Sequence, residues 1–184
     1  MSTVIALAKD GVVYMGADSA ATAGNHQRIL EIGKIFKPAG EQYLVGTVGN
    51  LRYAQILECV VSWPGVPGNA TEAFAFVVQY VVPALRQGLR DSGMMQYEQG
   101  AEVAPDGSSC LVGFAGLVFE VDPLLSVSPT VGYSAIGSGS QYAMGAMAVL
   151  PEKLKPEKRL QQALEAAAAY DIYTSAPFAY GRLG

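Results

Sequence analysis

Ser2 is the one residue of this chain that could attack a substrate with a base built into its own backbone. It follows Met1 directly and leads at once into an apolar run, Val4-Ile5-Ala6-Leu7-Ala8. Such a run reads as a buried strand, and a strand starting at residue 3 would hold residue 2 still. A serine hydroxyl is a poor nucleophile until something takes its proton, and a free α-amine is the nearest available base. The ordinary pKa of that amine, about 7.7–8.0, lets it exchange protons near neutrality. The chain has a single histidine. His26 follows Gly24-Asn25 in a turn and reads as a surface residue rather than a ligand or base. The chemistry requires that Met1 be removed, which a side chain as small as that of Ser2 permits; a retained methionine would block the amine. No charged segment precedes the apolar run, so the start does not read as a secretory signal.

The elements that must position Ser2 are strands. Residues 3–8 and 11–16 read as two strands joined by Lys9-Asp10-Gly11, since Asp-Gly between apolar runs is a hairpin signal. Residues 22–25 are polar and glycine-rich, a loop. Residues 29–36 alternate in part, and Pro38-Ala39-Gly40 turns the chain into a further strand at 43–48. From Leu51 the period changes to that of a helix, with Leu51, Ala54, Ile56, Leu57, Val60 and Val61 on its apolar positions. The segment from Ser62 to Asn69 holds two prolines and two glycines and ends it. It carries the only tryptophan, Trp63, which reads as a buried indole or, alternatively, as an exposed aromatic at a ring mouth that touches entering polypeptide. A second helix is expected from Asn69 or Thr71 to Gly88, kinked at Pro83.

Gly93–Gly107 reads as a polar linker. Residues 109–115 and 117–121 form another hairpin, 123–130 a loop with a short strand at best, and 133–136 a strand. Gly137-Ser138-Gly139 opens a helix at 141–150, and 156–170 is the clearest helix of the chain. Residues 172–184 read as a strand and tail. Helices that follow strands in this order describe a layered α+β sandwich.

The motifs Ser2-Thr3-Val4-Ile5, Gly16-Ala17-Asp18-Ser19-Ala20-Ala21-Thr22-Ala23-Gly24-Asn25 and Gly33-Lys34-Ile35-Phe36 stand in family-like order. Val45-Gly46-Thr47-Val48-Gly49 and Ala135-Ile136-Gly137-Ser138-Gly139 follow. Together they resemble proteasome β-type subunits and their bacterial relative HslV, and most closely the beta-proteobacterial proteasome homologues. The resemblance runs from the first strand to Ile172-Tyr173-Thr174. It implies a four-layer αββα sandwich of the N-terminal nucleophile hydrolase type, in a single domain spanning 1–184.

By resemblance, Ser2 stands where the family has its threonine nucleophile, and Asp18 and Lys34 match its buried acid and lysine. A lysine beside the terminal amine favours the neutral, proton-accepting form of that amine, and the aspartate keeps the lysine charged. Gly46 matches the residue whose backbone N–H meets the developing oxyanion, a donor worth roughly 3–4 kcal/mol of barrier. Ser138 matches a hydroxyl that orients the amine of the nucleophile. Thr22 and Val48 match positions whose backbones hold substrate as an added strand. Ala21, Ile32, Phe36, Leu44 and Val48 match the primary specificity pocket, so a bulky apolar residue is expected before the cut bond. A monovalent cation, Na+, is implied near the backbone of Ala168, Asp171 and Thr174; no other cofactor is.

The chain departs from the family twice. Serine replaces threonine at the nucleophile and lacks the γ-methyl that restricts χ1, so slower turnover is expected. An ungapped match of the last helix puts Ala169 where the family has an aspartate, with Asp171 two residues too far along.

Composition adds bounds. Apolar residues make up 51% of the 184 and charged residues 15%, against about 25% charged in an average globular chain. A chain so poor in charge is expected to hide surface against other copies of itself. The net charge is −4, and Asp91, Glu98, Glu102, Asp106, Glu120, Asp122 and Glu152 lie in a span without lysine or arginine. That span is a solvated acidic face or the lining of an internal chamber; either way it disfavours nucleic acid as a partner. Cys59 and Cys110 read as reduced core residues, far from any zinc pattern. No uninterrupted apolar stretch of about 18 residues is present, so no membrane association is expected and the chain reads as cytoplasmic.

The leading expectation is thus an endopeptidase acting on polypeptides inside a homo-oligomeric double ring of six or seven subunits per ring. An ATP-dependent unfoldase could serve as partner but has no mark in this sequence. The alternative is a ring-forming structural or regulatory subunit without turnover. An N-terminal serine amidase acting on a small molecule shares the nucleophile but leaves the charge-poor composition unexplained.

Overall fold

The computed structural model describes residues 2–23, 25–31, 33–38, 40, 42–67, 72–98 and 100–184. The state of Met1, the placement of Ile32 and the start of the second helix at Asn69 or Thr71 therefore lie outside the described residues.

The first strand, β1 (Thr3–Lys9), is buried along most of its length, because both of its faces are covered. Val4 and Ala6 point to one apolar layer, Ile5 and Leu7 to another. Asp10 and Gly11 both take positive φ, 52° and 77°, the backbone of a two-residue hairpin turn. They join β1 to β2 (Val12–Asp18). Strand β3 (Ala20–Ala23) and β4 (His26–Ile29) form a small hairpin, and β5 (Ile35–Phe36) and β6 (Leu44–Val48) follow. Helix α1 (Leu51–Cys59) is capped by Asn50, whose side chain accepts the Arg52 N–H at 2.8 Å, as an N-cap should.

Helix α2 (Ala73–Phe76) runs through a wider π turn, Val77–Val81, into α3 (Val82–Asp91). The sequence predicts a kink at Pro83. Instead Pro83 falls in the first turn of α3, and the wide turn before it absorbs the hydrogen bond that proline cannot donate. The predicted linker after α3 holds a hairpin, β7 (Gln96–Glu98) with β8 (Ala101–Val103). Two-point contact of the Arg90 guanidinium with the Glu102 carboxylate, 2.7 Å each, ties it to the end of α3. Alternation over only three residues is too short to signal a strand in the sequence.

Strands β9 (Ser109–Phe114), β10 (Leu117–Val121), β11 (Val127–Pro129) and β12 (Tyr133–Gly137) precede α4 (Ser140–Val149) and α5 (Pro156–Tyr170); β13 (Phe178–Leu183) closes the chain. One sheet has the order β12-β1-β2-β13, the other β11-β10-β9-β6-β5. Val4, Met15, Leu44 and Leu111 pack between the sheets. Helices α4 and α5 cover the first sheet through Met147, Leu160, Ala163 and Leu164. Helices α1 to α3 cover the second through Tyr53, Ile56, Leu85 and Leu89. The layers are α, β, β, α, as the resemblance implied.

Trp63 is buried, stacks at a tilt 4.9 Å from Tyr43, and donates its indole N–H to the Leu57 carbonyl at 2.7 Å. Cys110 is buried as expected, but Cys59, the last residue of α1, is exposed. Its apolar neighbours in sequence suggested a core position, yet α1 turns that side outward.

Candidate active site

Ser2 precedes β1 and is 5% exposed. It lines a cavity of about 510 Å³ together with Lys34, Ala20, Ala21, Thr47 and Gly49. Both ends of the segment that carries Ser2 are fixed. The Thr3 N–H donates to Asp18 Oδ1 at 2.8 Å. Gly137, with φ 96°, lies against the Ser2 carbonyl so closely that any Cβ there would overlap it.

Asp18 is the last residue of β2 and is fully buried. Its Oδ1 accepts the Lys34 ammonium at 2.7 Å in addition to Thr3, and its Oδ2 accepts the Ala20 N–H at 3.0 Å. Lys34 donates a second bond to the Ala20 carbonyl at 2.7 Å, and its Nζ carries three protons. Burial pushes the Lys34 pKa down, and the attraction of Asp18 only partly offsets it. An amine so placed gives up its proton more readily than an ordinary lysine. Asp18 favours the charged lysine, as expected, while desolvation is the larger effect.

A second polar chain lies on the other side of Ser2. Thr3 and Thr174 hydroxyls meet at 2.6 Å, and the Thr174 hydroxyl donates to Asp171 Oδ2 at 2.6 Å. Having one proton, Thr174 must therefore receive from Thr3. Ser138 also donates to Asp171 Oδ2, at 2.7 Å, and lies 3.5 Å from the Ser2 carbonyl oxygen. Its single proton belongs to the short, charge-assisted bond. Gly139 makes room for this network, because a Cβ there would strike Thr3, Thr174 and Asp171.

The ungapped match that placed Ala169 at the aspartate position is thus corrected. Ala169 is exposed on α5, whereas Asp171 is buried. Helix α5 stops at Tyr170, and Asp171 takes an extended backbone, φ −97° and ψ 114°. That change of direction turns its carboxylate inward.

Gly46 does not reach the cavity. It lies mid-strand with β5 on one side, opposite Ile35, and β9 on the other, opposite Leu111. Its backbone N–H therefore stays within the sheet, and a Cβ would meet Val4 Cγ1 at 2.5 Å. The glycine at the cavity is Gly49, φ 99°, between the end of β6 and α1. Among the described residues its N–H has no acceptor. Within Val45-Gly46-Thr47-Val48-Gly49, only the pairing of β6 with β5 and β9 separates the glycine in the sheet from the one at the cavity.

Of the predicted pocket residues, Ala21 and Val48 line the cavity, as does Thr22. Phe36 instead joins the core under α1 and α3, and Leu44 fills the layer between the sheets. Leu51 and Ala54, on the first turn of α1, take their place. His26 and Arg28 of β4 also line it, so the wall is not wholly apolar. His26 is exposed, as expected, but on strand rather than turn.

Among the described residues no three His, Cys, Asp or Glu side chains cluster for a metal. The donors implied for Na+ are of a type that fits a hard cation, since backbone carbonyls at a helix C-terminus carry negative partial charge. Asp171 O already accepts the Thr174 N–H at 3.1 Å, which holds that turn together.

No protein-family model matches the chain. It is 26% identical over 99% of its length to the ATP-dependent protease subunit HslV of Syntrophobacter fumaroxidans, covering 96% of that protein. The chain is thus similar to an HslV-type protein over almost its whole length. BPH of Thiobacillus denitrificans in complex with epoxomicin superposes with a TM-score of 0.79, at 22% identity, over 98% of this chain and 97% of that one. Eukaryotic HslV from Trypanosoma brucei does so at 0.71, with 19% identity and 98% of both chains. These two likenesses concern the fold. The Lys34–Asp18 pair is buried, at 2.7 Å, and no helix among the described residues is long and apolar enough to cross a membrane.

Proposed function

We propose that the chain is an endopeptidase that uses Ser2, freed of Met1, as an N-terminal nucleophile. The observation that carries this reading is the cavity shared by Ser2 and Lys34, with Lys34 held 2.7 Å from the buried Asp18. The Ser2 hydroxyl attacks the substrate carbonyl and passes its proton to its own α-amine, directly or through water. The nearby Lys34 keeps that amine in the accepting form. The Gly49 N–H donates to the oxyanion, in place of Gly46. The amine then protonates the leaving group, and water resolves the acyl-enzyme.

Substrate binds as an added strand along the β3 backbone at Ala21 and Thr22, facing Val48. The side chain before the cut enters beside Ala20, Ala21, Leu51 and Ala54, so leucine and tyrosine are favoured there over arginine. A sodium ion, held by the carbonyls of Ala168, Asp171 and Thr174, would brace the turn that presents Asp171. Copies of the chain assemble into a double ring that encloses the site. Val78, Tyr80, Tyr142, Tyr170 and Ile172 are exposed in the monomer, and an apolar surface of that kind suits contact between subunits.

The test is intact mass after incubation with epoxomicin, which can engage both an amine and a hydroxyl. Loss of Met1 and a single adduct at Ser2, absent in Ser2→Ala, is the expected result. A mass that keeps Met1 and takes up no reagent would leave only the reading of an idle ring subunit.

A further inference from the structure

We infer that Arg28, with His26 beside it, forms a carboxylate-accepting subsite in the cavity, selecting an acidic side chain two residues on the amino side of the residue at the cut. This rests on the peptidase reading of the same cavity and goes beyond its apolar first pocket.

The placement follows from strand geometry. Ala21 lies directly opposite Arg28 across the β3–β4 hairpin, and residues directly opposite share a face of the sheet. His26 lies two residues from Arg28 on β4, on that same face. Both line the cavity, both are exposed, and the small Ala21 leaves the Arg28 side chain room. The Gln27 amide, on the opposite face, donates instead to the Ser175 hydroxyl at 3.0 Å.

Charge sets the preference. Among the described residues no aspartate or glutamate lines the cavity, and Asp18 is sealed behind Lys34. Among the described residues Arg28 takes part in no ion pair. Its guanidinium thus offers a fork of N–H donors to whatever enters.

Distance sets the position. The edge of β3 away from β4 is unpaired in the described sheet, so a substrate strand can add there. Side chains two apart on a strand lie about 6.6–6.8 Å from each other on one face. The side chain at the cut enters near Lys34, whose Nζ holds the Ala20 carbonyl. The next side chain on that face, two residues toward the substrate's amino end, therefore lies past Ala21 on the side of His26, within reach of the long Arg28 side chain.

The experiment uses three N-acylated peptides with leucine at the cut and glutamate, glutamine or lysine two residues before it. Cleavage is read as kcat/KM on fluorogenic forms, and binding by polarisation on amide-capped forms that need no turnover. Glutamate should exceed glutamine about fivefold and lysine by more, as an exposed ion pair allows. The advantage should shrink as salt is raised. Arg28→Gln should level glutamate with glutamine, and Arg28→Glu should favour lysine, with thermal unfolding checking that each variant is folded. Equal values for all three peptides in the wild-type chain, or an order unmoved by either substitution, would overturn the subsite. Epoxomicin capture separates the two readings. Capture without a glutamate preference sinks the subsite alone. Glutamate-selective binding without capture supports the subsite and sinks the peptidase.

Discussion

The Ser138 hydroxyl donates to Asp171 Oδ2 across 2.7 Å, joining residues 33 apart in sequence on the amino side of α4 and just past the end of α5. Thr174 donates to the same oxygen. One carboxylate oxygen therefore sets the direction of both hydroxyls, and through Thr174 that of Thr3, the neighbour of Ser2.

Removing that acceptor should harm positioning more than binding. Asp171→Ala is expected to lower kcat about 10²-fold, as small misplacements of reacting groups do, with little change in KM. Adding Ala169→Asp to it should restore nothing, because residue 169 faces outward on α5. Steady-state kinetics on a fluorogenic peptide decide this; recovery in the double variant would contradict the geometry.

Lys34 and Asp18 should prove unequal to their parts. Lys34→Ala leaves a fully buried carboxylate without its cation and is expected to cost about 3–5 kcal/mol of stability, along with epoxomicin capture. The paired change Asp18→Asn with Lys34→Gln should be much milder in urea unfolding, while capture stays lost. A Lys34→Ala chain as stable as wild type would mean that the pair is not buried in solution.

The lowered Lys34 pKa gives stability a pH slope. Folding makes this lysine release its proton more easily than its ordinary value of 10.5, so between the two pKa values the unfolded chain binds more protons. Stability from this group therefore rises with pH through that window and is complete above 10.5. The urea midpoint of the wild type, relative to the Asp18→Asn, Lys34→Gln chain, should climb as the pH is raised toward 10.5. A falling difference would reverse the sign and show that Asp18 outweighs burial.

Ser2→Thr should retain epoxomicin capture and turn over faster than the wild type. The added γ-methyl narrows χ1 and leaves fewer unproductive rotamers. Burst kinetics would separate a faster acylation from any change in product release, and slower acylation would mean that the cavity around Ser2 has no room for the methyl.

Ala21→Leu should shrink the cavity where substrate side chains enter. Peptides with leucine or tyrosine at the cut should lose kcat/KM more steeply than those with alanine there. A uniform loss across the set would place Ala21 outside the first pocket.

Much of this was legible in the chain itself. The apolar run after Ser2, the Asp10-Gly11 turn and the 3.6-residue periods of α1 and α5 are local signals, and local geometry obeyed them. Asp18 and Lys34 could be singled out by motif. Other features depended on partners far away in sequence. Whether Gly46 or Gly49 offers a free N–H is decided by β5 and β9, which close around Gly46 and stop short of Gly49. Whether residue 169 or 171 supplies the carboxylate is decided by where α5 gives way to extended backbone. Phe36 and Leu44 had the right chemistry for a pocket, but the layering of two sheets sent them into the core. His26 and Arg28 carried no signal in sequence, since only the β3–β4 pairing places them beside Ala21 on the cavity wall. Sequence fixes which groups are present and which local backbone they favour; packing alone decides which of them face one another, because burial and pairing are properties of the whole sandwich.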